Sequence, residues 1–341
     1  MKKKYFIRAS IILLVLMAAG AYFVHSSTKK VINAPLSSSA GKVDFEIKSG
    51  QTLADVIEEL NSRGLIKDKK VVLDYIGKNN LSTKVVPGKY SMSATVSLYN
   101  LVSYMNKGIL DDVPVKVTIP EGYSVEEIAD VLESKGIISK ADFLKSCKEY
   151  TLPSFIKSDA RRRYALEGYL FPDTYEFYKG SSGKAVIDEM TATFKQVVDD
   201  ISKKTGKTMT GDVLDKYVTM ASVVEKEAKV QSERGKVASV FYNRLKINMK
   251  LQSCATVLYS LGYHKDKLSN SDLAVNSPYN TYLVTGLPAG PISNPGRACL
   301  EAAVSPESTN YLYFVSKNDG THFFTNNYNE FLNVKAVTQG F

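Results

Sequence analysis

The chain has 341 residues, 44% of them hydrophobic and 23% charged, which is enough apolar content to bury a sizeable core in more than one domain and argues against disorder. Its formal net charge is +9, and Lys2, Lys3, Lys4 and Arg8 supply four of those charges at the N-terminus. That excess suits an anionic surface such as a bacterial envelope, or plain solvation, and no arginine-aromatic motif argues for nucleic acid.

After the basic tail (residues 1–8) comes ASIILLVLMAAGAYFV, uncharged and mostly apolar. Its length approaches the roughly 20 residues that span a bilayer, so a transmembrane anchor is expected over residues 9–25. The basic flank places its start in the cytoplasm and the bulk of the chain outside, which predicts a single-pass protein of the cell membrane with its folded domains extracytoplasmic. Ala19-Gly20-Ala21 also has the form of a signal-peptide cleavage site, but the apolar run continues through Tyr22, Phe23 and Val24, which favours an uncleaved anchor. Residues 26–42 are small and polar and read as a linker.

An internal repeat follows. FEIKSGQTLADVIEELNSRGLIKDKK from Phe45 matches VTIPEGYSVEEIADVLESKGIISKADF from Val117, aligning Gly50 with Gly122, Thr52 with Ser124, Asp55 with Glu127 and Gly64 with Gly136. Each copy predicts a strand, a glycine turn, and a helix opened by a hydroxyl-acid capping pair and closed by a left-handed glycine. The first copy, with Gly50-Gln51-Thr52-Leu53, resembles a LysM module, a type that binds N-acetylglucosamine-containing wall glycans. The expected divisions are a LysM-like α/β module over 43–110, the second repeat and its connection over 111–160, and a mixed α+β domain over 161–341, for an α+β chain overall.

Leu166 to Phe177 reads LEGYLFPDTYEF. Aromatic faces interleaved with carboxylates hold sugar rings, making Glu167 and Tyr169 candidate substrate contacts; a buried aromatic corner that packs the domain is the other reading. From Asp212 to Val230 an apolar helical run ends in two carboxylates. Helical spacing puts Glu225 on a row with Leu214, Val218, Ala221 and Ala228, where desolvation would raise its pKa toward that of a general acid. Glu227 lies on a row with Lys216, Met220, Val223 and Val230, also partly apolar. Periodicity favours Glu225 only slightly, and both acids could be solvated rim residues.

SERGKVASVFYNRLKINMKLQS predicts a second helix, with Val237, Val240, Phe241 and Leu245 on one stripe. The proline- and glycine-rich stretch from Ser277 to Pro295 predicts a long irregular wall before a helix from about Arg297. YLYFVSKNDGTHFFT predicts a hairpin, Tyr311 to Val315 and Thr321 to Thr325, turning at Asn318-Asp319-Gly320. Cys147, Cys254 and Cys299 are too few for a disulfide framework, and His25, His264 and His322 are isolated from one another, so neither a metal, nor a cofactor, nor a common nucleophilic triad is expected. Acid chemistry by Asp or Glu is what remains.

ASVVEKEA (221–228), GYLFPDTYEF (168–177), ERGKVASVFYNRL (233–245), LQSCATVLYSLG (251–262), YNTYLVTGLPAGPISNPG (279–296) and YLYFV (311–315) together resemble the YceG-like family, in order over roughly residues 43–340. The resemblance implies a membrane-anchored lytic transglycosylase that cuts the β-1,4 bond between N-acetylmuramic acid and N-acetylglucosamine within nascent peptidoglycan strands. Its products carry 1,6-anhydro muramyl ends, and its partners are glycan strands, the membrane and peptidoglycan synthases. It also implies that the first glutamate of VEKE, Glu225, is the essential acid. Gln252, Asn280 and Tyr282 are the polar groups expected to line the cleft. Where many family members have Asp-Pro after LQ(S/T), this chain has Cys254-Ala255. A non-catalytic LysM-like scaffold that binds peptidoglycan is the alternative, and an ordinary hydrolase is a third.

Overall fold

The computed structural model describes residues 32, 33, 36, 41–66, 68–78, 82–263 and 265–340. The expected anchor over 9–25, the basic tail before it and most of the linker lie outside the described residues. Among the described residues no helix is long and apolar enough to cross a membrane. The chain divides into two compact units. One runs to Val115 and takes in Glu176–Ser182; the other comprises Lys116–Tyr175 and Gly183–Phe341. Both mix helices and strands, as an α+β chain should.

In the first unit, β1 (Lys42–Ile47) alternates exposed and buried positions and pairs antiparallel with β2 (Gly88–Ser93), Phe45 opposite Tyr90 and Ile47 opposite Gly88. The alternation turns Val43, Phe45 and Ile47 inward, and the Phe45 and Tyr90 rings stack with centroids 5.2 Å apart. Between the strands lie α1 (Leu53–Ser62) and α2 (Lys69–Lys78), and α3 (Leu98–Lys107) follows β2. Leu53, Val56, Ile57 and Leu60 of α1 recur at helical spacing and are all buried. The capping box expected at Thr52 is present: its side chain accepts from Asp55 N–H while the Asp55 carboxylate accepts from Thr52 N–H, and Gly64 closes the turn at φ 72°.

The second repeat belongs to the second unit. Ser124 and Glu127 form the same box at the start of α4 (Val125–Ser134), and Gly136 takes φ 69° beyond its end. Strand β3 (Val115–Thr118) precedes it, α5 (Lys140–Glu149) follows, and β4 (Thr174–Phe177) ends the LEGYLFPDTYEF stretch. The rest of the unit is built around α7 (Gly211–Glu227), which packs against α8 (Arg234–Lys246), α9 (Cys254–Leu261) and α11 (Arg297–Val304), with α6 (Gly183–Thr205) before it and a short α10 (Asn270–Leu273) after α9. Helix α7 ends at Glu227, three residues short of the expected Val230, because Ala228 leaves helical geometry at ψ 101°. The stretch between α10 and α11 carries no regular element, as its prolines require. The hairpin forms as β5 (Tyr313–Ser316) and β6 (His322–Thr325), and α12 (Tyr328–Gln339) packs on it.

The aromatic stretch 166–175 is core. Leu166, Tyr169 and Leu170 are fully buried, and Tyr169 meets Phe194 edge-on at 5.1 Å. Gly168 turns this corner at φ 88°, where an added Cβ would lie 2.5 Å from Pro291 Cβ and 2.8 Å from Val218 Cγ1. Gly168→Ala is therefore expected to destabilise the protein by about 1–3 kcal/mol, through overpacking added to a left-handed backbone, measurable as a lower denaturant midpoint with unchanged slope.

Candidate functional site

The last turn of α7 presents its two carboxylates in opposite directions, since two residues along a helix turn the side chain by roughly 200°. Glu225 continues the buried row of Leu214, Val218 and Ala221 and points into the packed side of the unit. Its side chain is 6% exposed; Oε2 accepts from Gly296 N–H at 2.9 Å, at the start of α11, and Oε1 lies 3.5 Å from Arg234 Nη2. Glu225 therefore anchors α7 to α11, where a helix N-terminus and a guanidinium match its charge.

Glu227 is partly buried and lines two cavities, of about 550 Å³ and about 540 Å³. Ser253 Oγ donates to its Oε1 at 2.5 Å, just ahead of α9. Burial pushes its carboxyl above the ordinary range, opposed by the Ser253 hydroxyl, the nearby His322, the Ala255 N–H and Arg244. A carboxyl whose hold on its proton is strengthened by burial, reachable from two sides and hydrogen-bonded on one oxygen, can give a proton to a ligand and take one back. The geometry thus moves the candidate acid from Glu225 to Glu227. The apolar row that favoured Glu225 marks the side of the helix that is packed, and a packed side leaves no room for a sugar.

The other expected contacts divide. Gln252 is exposed, held at φ 49° with its N–H on the Thr281 carbonyl, and lines the first cavity. Tyr282 lines it too, its hydroxyl 3.2 Å from Cys254 Sγ. Cys254, where the family motif has an acid, borders both cavities. All three cysteines are free thiols.

Asn280, Tyr169 and Glu167 are spent internally. Asn280 is fully buried; its Nδ2 donates to the carbonyls of Leu273 and Val275 and its Oδ1 accepts from Tyr282 N–H, which ties down the irregular wall. The Tyr169 hydroxyl donates to Asp215 Oδ1 at 2.7 Å, inside the core. Glu167 is 1% exposed and accepts from Val125 N–H, Asn294 Nδ2 and the Tyr259 hydroxyl, so it braces the back of the second cavity. Sequence spacing brought these residues near the site, but satisfying their buried polar atoms used up their hydrogen-bonding capacity.

Burial pushes Glu167 from an ordinary 4.5 up to about 8, against the pull of Tyr259 and the Val125 N–H. Because the folded state holds the proton more tightly than the unfolded chain, the stability this acid contributes is full below about 4.5 and is lost as pH rises through about 8. Glu167→Gln is expected to flatten the fall of Tm across that interval, checked by thermal melts of both proteins at matched pH.

Ser253, Arg244 and His322 join Glu227 around the first cavity without any sequence signal that sets them there. His322 lies in β6, its Nδ1 2.7 Å from Glu233 Oε2 and its N–H donating to Glu233 Oε1. Among the described residues no group of three or more His, Cys, Asp or Glu side chains is arranged to hold a metal ion.

Residues 45–337 match the model of the YceG-like family. The chain is 33% identical over 323 residues to a protein of Bacillus subtilis named endolytic murein transglycosylase, covering 91% of this chain and 88% of that protein. A protein of the same name from Streptococcus pneumoniae serotype 2 is 30% identical over 353 residues, covering 95% of this chain and 63% of its own length, so the chain spans somewhat less than two thirds of that relative. The crystal structure of a yceG-like protein from Listeria monocytogenes superposes with a TM-score of 0.58 at 35% identity, over 87% of this chain and 100% of that one. With its match running from the first strand to the last helix, the chain belongs to the YceG-like family.

Proposed function

We propose that this chain is a lytic transglycosylase that cuts peptidoglycan strands internally, with Glu227 as the single catalytic acid and base. The observation that carries this reading is the position of the Glu227 carboxylate, partly buried at the end of α7 and bordering both cavities. The names of the relatives supply the substrate class.

Glycosidases commonly use two carboxylates across the scissile bond. Here one suffices, because the muramyl ring carries its own nucleophile. Protonated Glu227 gives its proton to the bridging oxygen of the MurNAc-β-1,4-GlcNAc bond, the C1–O4 bond breaks, and positive charge develops at C1. The ring's C6 hydroxyl then attacks C1 and loses its proton to the Glu227 carboxylate. A 1,6-anhydro ring closes, no water is consumed, and the acid is regenerated. The Ser253 hydroxyl supports the carboxylate between the two transfers, and Gln252 and Tyr282 line the side on which charge develops. Sugars on both sides of the bond need room on both sides of the acid, which suits endolytic cutting.

We read the first unit as a LysM-like module that holds the strand, the segment 9–25 as a single-pass anchor that keeps the catalytic domain outside the membrane, and peptidoglycan synthases as partners whose nascent strands are shortened. The test is product analysis by mass spectrometry after incubation with intact glycan strands. Anhydro ends are expected; reducing ends would replace this reading by hydrolysis, and bound but uncut strands by a binding scaffold.

A further inference from the structure

The two cavities beside Glu227 differ in charge. The second is lined by acids and bases together, Glu126, Glu127 and Asp130 against Lys140, Arg163 and Lys226. The first is lined by Arg244, His322 and Lys335, and among the described residues that line it Glu227 is the one acid. Arg244 is 7% exposed. Its Nε and Nη1 donate to the carbonyls of Leu312 and Leu251 at 2.7 and 2.6 Å, and its guanidinium stands over the Tyr313 ring at 5.6 Å. Among the described residues no carboxylate lies within ion-pair distance of it, and Nη2 has no hydrogen-bond partner. A guanidinium withdrawn from water normally has an anion beside it, because desolvating an unmatched charge is costly. Burial accordingly lowers its pKa, and Glu227 is among the groups that oppose this. When Glu227 holds its proton that compensation is gone. His322 is already engaged, its Nδ1 2.7 Å from Glu233 Oε2. Lys335 approaches from α12, and its charge is felt at the Cys254 thiol.

We propose that the first cavity takes a carboxylate-bearing substituent of the glycan strand, held by Arg244 and Lys335. The identity of the strand rests on the transglycosylase reading above. Muramyl units offer a carboxylate from two sources, the lactyl group once the peptide is removed and the peptide stem while it is present, and the guanidinium fork suits either.

The test uses the full chain carrying Glu227→Gln, titrated calorimetrically with stem-bearing strands, with amidase-stripped strands and with chito-oligosaccharides of matched length, which lack carboxylates. Either carboxylate ligand is expected to bind about 10-fold tighter than the chito-oligosaccharide, with the gap closing as salt rises. The tighter of the two identifies the source. Adding Lys335→Ala should narrow the gap while leaving chito-oligosaccharide binding unchanged, and Arg244→Gln should narrow it further. Equal affinity for all three ligands, or a gap that neither substitution changes, overturns the proposal. Wild-type protein that makes anhydro ends without such a gap removes the carboxylate site alone. Wild-type protein that cuts nothing while the gap persists removes the activity and leaves the site.

Discussion

Glu227→Gln is expected to slow glycan cleavage by about 10²–10⁴-fold, the usual worth of a positioned general acid, while Glu225→Gln cuts at close to the wild-type rate. The amide at 227 keeps the shape of the carboxyl and its contact with Ser253 but has no proton to give. At 225 the amide oxygen still accepts from Gly296 N–H, and what is lost is the charge facing Arg234. That loss should appear as stability, about 1–3 kcal/mol, and not as rate. The pH dependence has a definite sign. Glu227 must start protonated and its pKa is raised by burial, so cleavage should fall as pH rises through that raised value. Anhydro-product formation across a pH series, with melting curves for both variants, separates the two roles. An inactive Glu225→Gln beside an active Glu227→Gln would return the assignment to Glu225.

The largest loss of stability is expected at Asp215→Ala. Asp215 is 7% exposed and accepts from Arg162 Nη2 and the Tyr169 hydroxyl, both at 2.7 Å. Arg162, its side chain 2% exposed, also donates to the carbonyl of Ala289, so the cluster ties α7 to the aromatic corner and to the irregular wall. Removing the carboxylate leaves a buried guanidinium without its anion, which costs about 3–5 kcal/mol. Equilibrium denaturation should show it, and cleavage measured well below the variant's midpoint should be retained. Asp215→Asn, which still accepts the Tyr169 hydroxyl, is expected to lose less.

Much of the local structure was legible because local physics decides it. The capping pairs Thr52–Asp55 and Ser124–Glu127, the glycines after their helices, the hairpin around Asn318-Asp319-Gly320 and the start of α11 at Arg297 all depend on residues within a few positions of one another. The aromatic run Leu166 to Phe177 was ambiguous because the side chains that stack on sugars also fill cores. Only the packing of Tyr169 on Phe194 and Asp215 settles which it does.

The chain's residues alone narrowed the chemistry to carboxylates and confined the candidates to the end of one helix, where periodicity put Glu225 on the more apolar row. Tertiary structure gave the two different surroundings. It set Arg234 and the start of α11 against Glu225, and Ser253, His322 and two cavities against Glu227. Apart from Arg234, which opens the very next helix, these neighbours come from segments well separated in the chain. An apolar helical row says that a side is covered without saying whether protein or an open cleft covers it, and a buried acid becomes useful only in the second case.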